Sequence, residues 1–174
     1  MEKNVSKIVP LSQVPLERVV ELATECMPYV RPRSESDYWM YGRLFSTTCR
    51  AMVVDSSVVG VIIAFRSQDD SNEVYVHDVM VATSARRLGY GRKLMEDVMH
   101  TAARWGVERI WLTSEIENVA AQKLWCSLGF INRPANTFVN GIWVSLNFKG
   151  PGRDRVVYER SLRDIVVNSK NARE

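Results

Sequence analysis

The stretch from Tyr75 to Arg92, YVHDVMVATSARRLGYGR, decides the fold of this chain. It begins within Val74 to Val81, a run rich in β-branched and aromatic residues that predicts a strand. A short polar link leads to a basic turn with two glycines, and an amphipathic helix follows from about Gly91. Strand, glycine-bearing turn and helix in this order predict a place that holds a phosphate group.

The turn has the features that an anion needs. Glycines at positions 89 and 91 let the backbone turn sharply and let a ligand come close to it. The N–H groups of residues 87–92 lie at the helix start, where about four such groups have no partner inside the helix. The positive end of the helix dipole favours a negative ligand there, and the arginines add charge. Glycines at a helix start are also ordinary turn residues. The spacing of the motif therefore has to distinguish a phosphate-binding turn from a plain one.

A dinucleotide site is the first alternative, and the spacing excludes it. That site needs the pattern G-x-G-x-x-G directly after the strand. Here residues 82–88 separate the strand from Gly89, and position 94 is Leu94 rather than glycine.

The rest of the chain predicts a mixed α/β fold. Before the decisive stretch, helices are predicted after Ser12 and after a cap at Ser36 or Asp37, followed by a hairpin whose turn is 55–57. After it, a strand at Arg109–Thr113 is reached through the helix and should run parallel to its predecessor. Asn118 is predicted to cap the next helix, and short strands complete the chain. We expect one domain over 1–165 and a frayed tail over 166–174.

Composition narrows the class of protein. The 174 residues suit about one domain, and no apolar run approaches the roughly 20 residues that span a bilayer. The N-terminus lacks the apolar core of a signal peptide. Three cysteines without C-x-x-C spacing argue against a disulfide framework and a zinc site, which points to a reducing cytoplasm and no metal. A net charge of +3 is too small to indicate nucleic acid, and no membrane partner is expected.

Two motifs resemble those of one known family. Arg86 to Gly91 reads R-x-x-G-x-G after a strand that ends in valine, as in the acyl-CoA-binding motif of the GCN5-related N-acetyltransferase (GNAT) superfamily. Asn118 to Phe130 resembles the superfamily's N-x-x-A-x-x-L-Y-x-x-x-G-F helix. The likeness extends over about residues 8–162. It implies a GNAT-like α/β fold, with a mixed, partly antiparallel central sheet and helices on both faces.

The resemblance also implies acetyl-CoA as co-substrate. The cofactor would lie where the strands Val74–Val81 and Arg109–Thr113 splay apart, with the backbone of Val79, Met80 and Val81 pairing with the pantetheine arm. Asn118 would hydrogen-bond the cofactor, although a plain helix cap is the alternative. The residues that would hold the pyrophosphate are Arg86, Arg87, Leu88, Gly89, Tyr90, Gly91 and Arg92.

The family's chemistry is direct attack of an amine on a thioester, so a base is required. An alkyl amine is only about one part in a thousand neutral at pH 7.4. We take His77 as the first choice for the base, because it lies on the implied thioester strand and imidazole titrates near neutrality. A half-buried structural histidine is the alternative. Strand alternation puts Asp78 on the opposite face from His77, and Asp78, Glu115 and Glu117 are further candidates.

The sequence does not identify a general acid that would protonate the departing thiolate. Many family members carry a tyrosine where this chain has Trp125, and an indole does not ionise usefully, so Trp125 is expected to pack on the cofactor or in the core. Acceptor binding is expected in the segment between the first two helices and in the loop 148–154. Four residues could bind a cationic amine there, with helix caps and core positions as the alternative: Glu35, Asp37, Tyr38 and Tyr41. The leading function is transfer of acetyl to a primary amine of a small molecule or peptide. A non-catalytic acyl-CoA-binding regulator is the alternative, and a homodimer is left open.

Overall fold

A computed structural model describes residues 5–165. The chain divides into two compact units, which are described one at a time. The described part of the first unit is 5–65 with 77–101, and that of the second is 66–76 with 102–165. The tail predicted to fray, 166–174, lies outside the described residues. The single domain over 1–165 stays a prediction.

Within residues 5–165 the chain forms four α-helices and nine strands. The helices are α1 (Leu16–Glu25), α2 (Glu35–Leu44), α3 (Tyr90–Arg104) and α4 (Val119–Ser127). The strands are β1 (Ser6–Pro10), β2 (Arg50–Val54), β3 (Ser57–Arg66), β4 (Glu73–Val81), β5 (Arg109–Ser114), β6 (Ile131–Asn132), β7 (Thr137–Val139), β8 (Ile142–Val144) and β9 (Val156–Ser161).

In the first unit, β1, β2 and β3 are antiparallel neighbours, and β4 comes next in strand order. A two-residue turn, Asp55-Ser56, joins β2 to β3, and both residues have positive φ, 46° and 69°. Positive φ at both positions defines the type I′ turn, whose twist matches that of the strands. Ser57 was predicted as a turn residue, but it pairs with Val54 as the first residue of β3.

The two helices at the start of the first unit begin differently from the prediction. Pro15, not Ser12, occupies the N-cap position of α1. Ser34, not Ser36 or Asp37, caps α2, and Asp37 completes a capping box by accepting from the Ser34 N–H. Apolar residues of α1, α2, β2, β3, β4 and their connecting segments form one buried core, which includes Leu11, Val19, Leu22, Ala23, Val30, Tyr38, Cys49, Ala51, Val61, Ile63 and Met80.

In the second unit, the first half of β4 pairs in parallel with β5, from Glu73–Arg109 to Val76–Leu112. β9 lies antiparallel to both β5 and β6. The hairpin of β7 and β8 is a separate two-stranded sheet. The parallel orientation of β5 confirms the prediction, because the chain returns through α3 between the two strands.

The fold is therefore mixed α/β, with a seven-stranded, mostly antiparallel sheet, and the predicted fold class is confirmed. Periodicity was sufficient for this because the apolar positions of α1 and α3 recur at helical spacing. No helix within residues 5–165 is long and apolar enough to cross a membrane.

Candidate active site

The turn before α3 is shaped for an anion. Arg87 and Gly89 both have positive φ, 64° and 81°. The N–H of Lys93 donates to the carbonyl of Gly89 at 3.0 Å, so the N–H groups of Gly89, Tyr90 and Gly91 lie at the helix start, ahead of this hydrogen bond. Turns of this kind direct successive N–H groups into a concavity that binds anions, and the dipole of the 15-residue helix α3 adds to the effect.

The space around this turn is open. A Cβ built on Gly89 would have no heavy atom within 4 Å, and the side chain of Leu88 is 60% exposed. Arg92 lies on the first turn of α3, with its Nη1 atom 3.5 Å from Oε1 of Glu96. Both side chains are about two-fifths exposed, so this pair is weak and can exchange for a phosphate. The residues from Arg87 to Arg92, called the cradle below, therefore fit a pyrophosphate group.

The link between β4 and the cradle is held by α1. Glu25 accepts from the backbone N–H of Thr83. Hydrogen bonds from the backbone and the side chain of Thr83, with a smaller effect of the Arg86 charge, lower the pKa of the Glu25 carboxyl. Arg86 donates from Nε to the carbonyl of Val81 at 3.2 Å. The Arg86 side chain thus folds back onto the end of β4. The contact of Arg86 with pyrophosphate stays a prediction.

Among the described residues, β4 pairs with β5 only along its first part, as far as Val76. The N–H of Ala82 donates to the carbonyl of Val59 on β3 at 2.9 Å. Because backbone polar groups alternate in direction along a strand, those of Val79 and Val81 face the opposite edge. The carbonyl of Val81 accepts from Arg86 and from the Cys26 thiol, whose sulfur is 3.7 Å away. Among residues 5–165 the pairing of β4 with β5 ends at Val76–Leu112, so the N–H of Val81 and the polar groups of Val79 lie beyond the last strand pair on this edge.

His77 is held by an arginine that the motifs do not identify. Nη2 of Arg33 lies 2.8 Å from Nε2 of His77. A guanidinium carries only donors, so Nε2 must be the acceptor, and a neutral His77 then carries its proton on Nδ1. The ring also packs 5.9 Å from Phe65, centroid to centroid. The imidazole is thereby fixed in position and in tautomer.

Asp78 lies on the buried face of β4 with Val76 and Met80, yet its carboxylate reaches the histidine. Oδ2 of Asp78 is 3.7 Å from Nε2 of His77, and this oxygen is buried without a hydrogen-bond partner in the described part of the chain. His77 and Asp78 therefore point to opposite faces of the strand, as predicted, but their Nε2 and Oδ2 atoms still lie close together. Side chains lean along the strand, which brings the two groups together.

Two tyrosines of α2 complete this group. Tyr38 is fully buried, and its hydroxyl accepts from the backbone N–H of Arg33 at 3.4 Å. Burial raises the pKa of Tyr38, and the charge of Asp78 adds to the rise. Burial also raises the pKa of Tyr41, against the opposing charge of Arg33. We call the five residues Arg33, Tyr38, Tyr41, His77 and Asp78 the His77 cluster.

The sequence named four members of the His77 cluster but missed Arg33. Arg33 lies in the polar segment after α1, between Pro32 and the capping residue Ser34, and belongs to no motif. One local signal was present, because a capping box at Ser34 starts α2 immediately after this arginine. Recognising it would have placed Arg33 at a fixed position beside the first turn of the helix.

The second unit contains the two remaining predicted cofactor residues. Asn118 caps α4, and its side-chain oxygen accepts from the N–H of Ala121 at 3.3 Å, which confirms the predicted cap. Trp125 is only 6% exposed and donates from Nε1 to the hydroxyl of Ser114 at 2.9 Å. Of the two alternatives given for Trp125, this arrangement favours packing in the core. Contact of either residue with a cofactor stays a prediction.

The acidic candidates after β5 have other contacts. Oε1 of Glu115 lies 3.3 Å from Nη2 of Arg155, so this carboxylate is paired. Glu117 also has contacts of its own. Among residues 5–165, no group of three or more His, Cys, Asp and Glu side chains is arranged to hold a metal ion.

A family model described as the acetyltransferase (GNAT) family matches residues 16–130. This range covers well over half of the chain and includes both motifs, the cradle and the His77 cluster. The chain belongs to the GNAT acetyltransferase family.

A curated relative, an uncharacterized N-acetyltransferase of Mycobacterium bovis, is 30% identical over 84 residues, which are 48% of this chain and 53% of the relative. The chain spans about half the length of the curated relatives it matches. The shared segment supports the family but does not define the activity of the whole protein.

Two solved structures share the fold. Diaminobutyrate acetyltransferase from Paenibacillus lautus, in complex with L-2,4-diaminobutyric acid and coenzyme A, has a TM-score of 0.73 at 22% identity, covering 90% of this chain and 95% of that one. Naa50 from Arabidopsis thaliana, in complex with the bisubstrate analogue CoA-Ac-MVNAL, has a TM-score of 0.70 at 18% identity, with coverages of 90% and 98%. At these identities the likeness concerns the fold alone.

Proposed function

We propose that this protein transfers an acetyl group from acetyl-CoA to a primary amine of a small molecule or peptide. The observation that carries the proposal is the cradle, where positive φ at Arg87 and Gly89 opens the start of α3 to an anion. Membership of the GNAT family supports acetyl-CoA as the anionic ligand. Two structural neighbours act on, or are bound to, acceptors of the two kinds, a diamino acid and a peptide analogue.

Bound acetyl-CoA supplies a thioester, and the chain supplies position and charge. The cradle binds the pyrophosphate through its N–H groups and arginines. The open edge of β4 at Val79 and Val81 pairs with the pantetheine arm, as an added strand would. The N–H of Val81 donates to the thioester oxygen as negative charge develops on it.

The amine nitrogen then attacks the thioester carbon, the carbon–sulfur bond breaks, and one proton must leave the nitrogen. His77 accepts this proton only when its Nε2 lone pair is released from Arg33, because the contact with a guanidinium donor requires the tautomer that carries its hydrogen on Nδ1. Asp78 is the second candidate for the base, because its buried Oδ2 atom lies 3.7 Å from Nε2 of His77. Glu115 and Glu117 come after these two. A proton also has to reach the departing thiolate.

Two observations favour a second candidate, a non-catalytic acyl-CoA-binding regulator. The lone pair of His77 is engaged by Arg33, and the family's usual tyrosine is replaced by Trp125, whose indole N–H is engaged by Ser114. The first contact occupies the candidate base, and the second feature replaces the family's usual acid. The cradle, which would bind CoA, is unaffected by either.

Assay of a broad amine panel with acetyl-CoA separates the two candidates. Thiol release above the rate of hydrolysis with any amine supports the transferase. Gly89→Trp should abolish it by filling the cradle, whereas Gly141→Trp, at another open glycine of positive φ, should not. Binding of CoA without turnover of any amine would favour the regulator.

A cytoplasmic location and a homodimer stay predictions.

A further inference from the structure

Arg33 carries a positive charge that no carboxylate of the described chain neutralises by contact. Within residues 5–165 it forms no ion pair with a nitrogen–oxygen distance of 4.0 Å or less. The carboxylate of Asp37 accepts from the backbone N–H and the hydroxyl of Ser34, and these hydrogen bonds lower its pKa. The charge of Arg33 has only a smaller effect on that pKa. Within residues 5–165, its side chain hydrogen-bonds to the imidazole of His77.

The guanidinium also has an unused donor. Nε of Arg33 is buried and has no hydrogen-bond partner in the described part of the chain. A buried donor without a partner is costly, so a ligand that supplies an acceptor gains affinity. The side chain as a whole is only half-buried, so a ligand can approach it from solvent. A carboxylate is the acceptor that suits a guanidinium best, because its two oxygens match the planar donors.

An opposite charge lies close by. Asp78 Oδ2 is the other buried polar atom of the His77 cluster without a partner among the described residues. It lies 3.7 Å from Nε2 of His77, the nitrogen that Arg33 contacts at 2.8 Å. Arg33 and Asp78 are oppositely charged, and each has a buried atom without a hydrogen-bond partner among the described residues. Both side chains therefore lie within 4 Å of the same imidazole nitrogen. A small amino acid carries the complementary pair of charges a few ångströms apart.

We propose that the His77 cluster is the acceptor site and that Arg33 binds a free carboxylate on the acceptor, so the substrate class is a small amino acid. The ammonium group of the acceptor lies toward Asp78 and His77, where its proton is removed. This inference rests on the proposed acetyl transfer. A simple polyamine or an internal lysine of a peptide offers no carboxylate to Arg33, and Arg33 would then be left with an unmatched charge.

The binding test uses acceptors in matched pairs. The panel contains the common amino acids and the diamino acids, including L-2,4-diaminobutyric acid, each beside its carboxamide. Binding is measured by calorimetry and by the Nε–H resonance of Arg33 in arginine-labelled protein. At least one acid should bind about tenfold or more tightly than its carboxamide, the effect of one charge-assisted hydrogen bond. The Arg33 resonance should move with the acid and not with the carboxamide.

Three variants assign the preference to Arg33. Arg33→Gln should abolish it, and Arg33→Lys should retain part of it, because a lysine keeps the charge but loses the planar donors. Arg31→Gln is the matched control: Arg31 is exposed in the same segment, and its loss should leave the preference unchanged. Thermal unfolding of each variant shows that the fold is intact, and Arg33→Lys keeps the test valid if Arg33→Gln unfolds.

The outcomes separate this inference from the proposed function. Acetylation of amines with no preference for acids over carboxamides would support the transferase and overturn the role of Arg33. The same preference in wild type and Arg33→Gln would also overturn it. Acids that bind through Arg33 but are not acetylated would support the carboxylate site while removing the transferase. If no acid binds more tightly than its carboxamide, the inference is wrong.

Discussion

Nη2 of Arg33 lies 2.8 Å from Nε2 of His77, and this contact uses the lone pair that a general base needs. The ring of His77 is therefore held in one position, but its acceptor nitrogen is occupied and cannot take a proton from the acceptor amine. A ligand that draws the guanidinium toward itself would release Nε2 at the moment the acceptor binds. Asp78, whose Oδ2 is 3.7 Å from the same nitrogen, could take the proton directly or stabilise an imidazolium once it forms.

The first prediction concerns these two residues. His77→Ala should lower kcat about a hundredfold or more, the usual contribution of a general base, with little change in the affinity for CoA. Asp78→Asn should lower kcat less if His77 is the base and more if Asp78 is. The pair of kcat values, with CoA affinity measured by calorimetry, identifies the base. If kcat and its pH profile are unchanged in His77→Ala, the histidine has a structural role only.

A second prediction follows from the positive φ of Gly89, 81°. Gly89→Ala should cost about 1–3 kcal/mol of stability because an L side chain rarely adopts this conformation, and it should also weaken CoA binding. Gly141→Ala is the matched control, because its φ is 85° and its site is equally open, but it joins β7 and β8. Both variants should lose similar stability in urea unfolding. Equal CoA affinity in the two variants would show that Gly89 does not touch the cofactor.

The third prediction concerns the charges of the cradle. Arg87→Ala and Arg92→Ala should each weaken CoA binding about tenfold at low salt and make the affinity less sensitive to salt. Lys123→Ala, an equal change of charge on the exposed surface of α4, should leave the affinity unchanged.

Glu96 allows the opposite change within the same pair. Its Oε1 lies 3.5 Å from Nη1 of Arg92 and competes for that arginine. Glu96→Gln should therefore strengthen CoA binding slightly, by less than about 1 kcal/mol for so exposed a pair. If the affinity in both arginine variants equals that of wild type, the pyrophosphate lies elsewhere.

Much of the fold could be read from the sequence because it depends on local patterns. The β4–turn–α3 order follows from a β-branched run and two glycines, and the Asn118 cap follows from residue type at the start of an apolar periodicity. The exact helix starts were wrong because several residues near Ser34 can cap a helix, and tertiary packing selects one.

The candidate site was less predictable for a physical reason. Arg33 and His77 are 44 positions apart, and their contact depends on the packing of the segment before α2 against β4. No periodicity encodes such a contact. Trp125 shows the same limit, because its position in a motif could not reveal that its N–H donates to a buried serine.

The fourth prediction uses that buried pair. Trp125→Phe removes the hydrogen bond from Nε1 to the Ser114 hydroxyl, so it should cost about 1–3 kcal/mol, including the loss of packing. In a double-mutant cycle with Ser114→Ala, the coupling energy should be about 1 kcal/mol. Trp39→Phe, at a tryptophan that is 59% exposed, should be nearly neutral. A coupling energy near zero in urea unfolding would show that the bond contributes nothing to stability.

The last prediction concerns the three thiols and bears on how activity is measured. Burial raises the pKa of Cys49 to about 12, and its side chain is fully buried. At pH 8 only about one part in ten thousand of this thiol is thiolate, the reactive form, and reagents cannot reach it. Cys126 is exposed, and Cys26 is buried.

Native protein should therefore show one fast thiol with a disulfide reagent at pH 8, and Cys126→Ser should remove it. Cys49 should react only after unfolding in urea, because its side chain is fully buried and burial raises its pKa. Fast reaction of a second thiol in the folded protein would contradict the burial of Cys49 and Cys26. Because released CoA is detected with the same reagents, Cys126→Ser is also the form of the protein in which acetyl transfer is measured most cleanly.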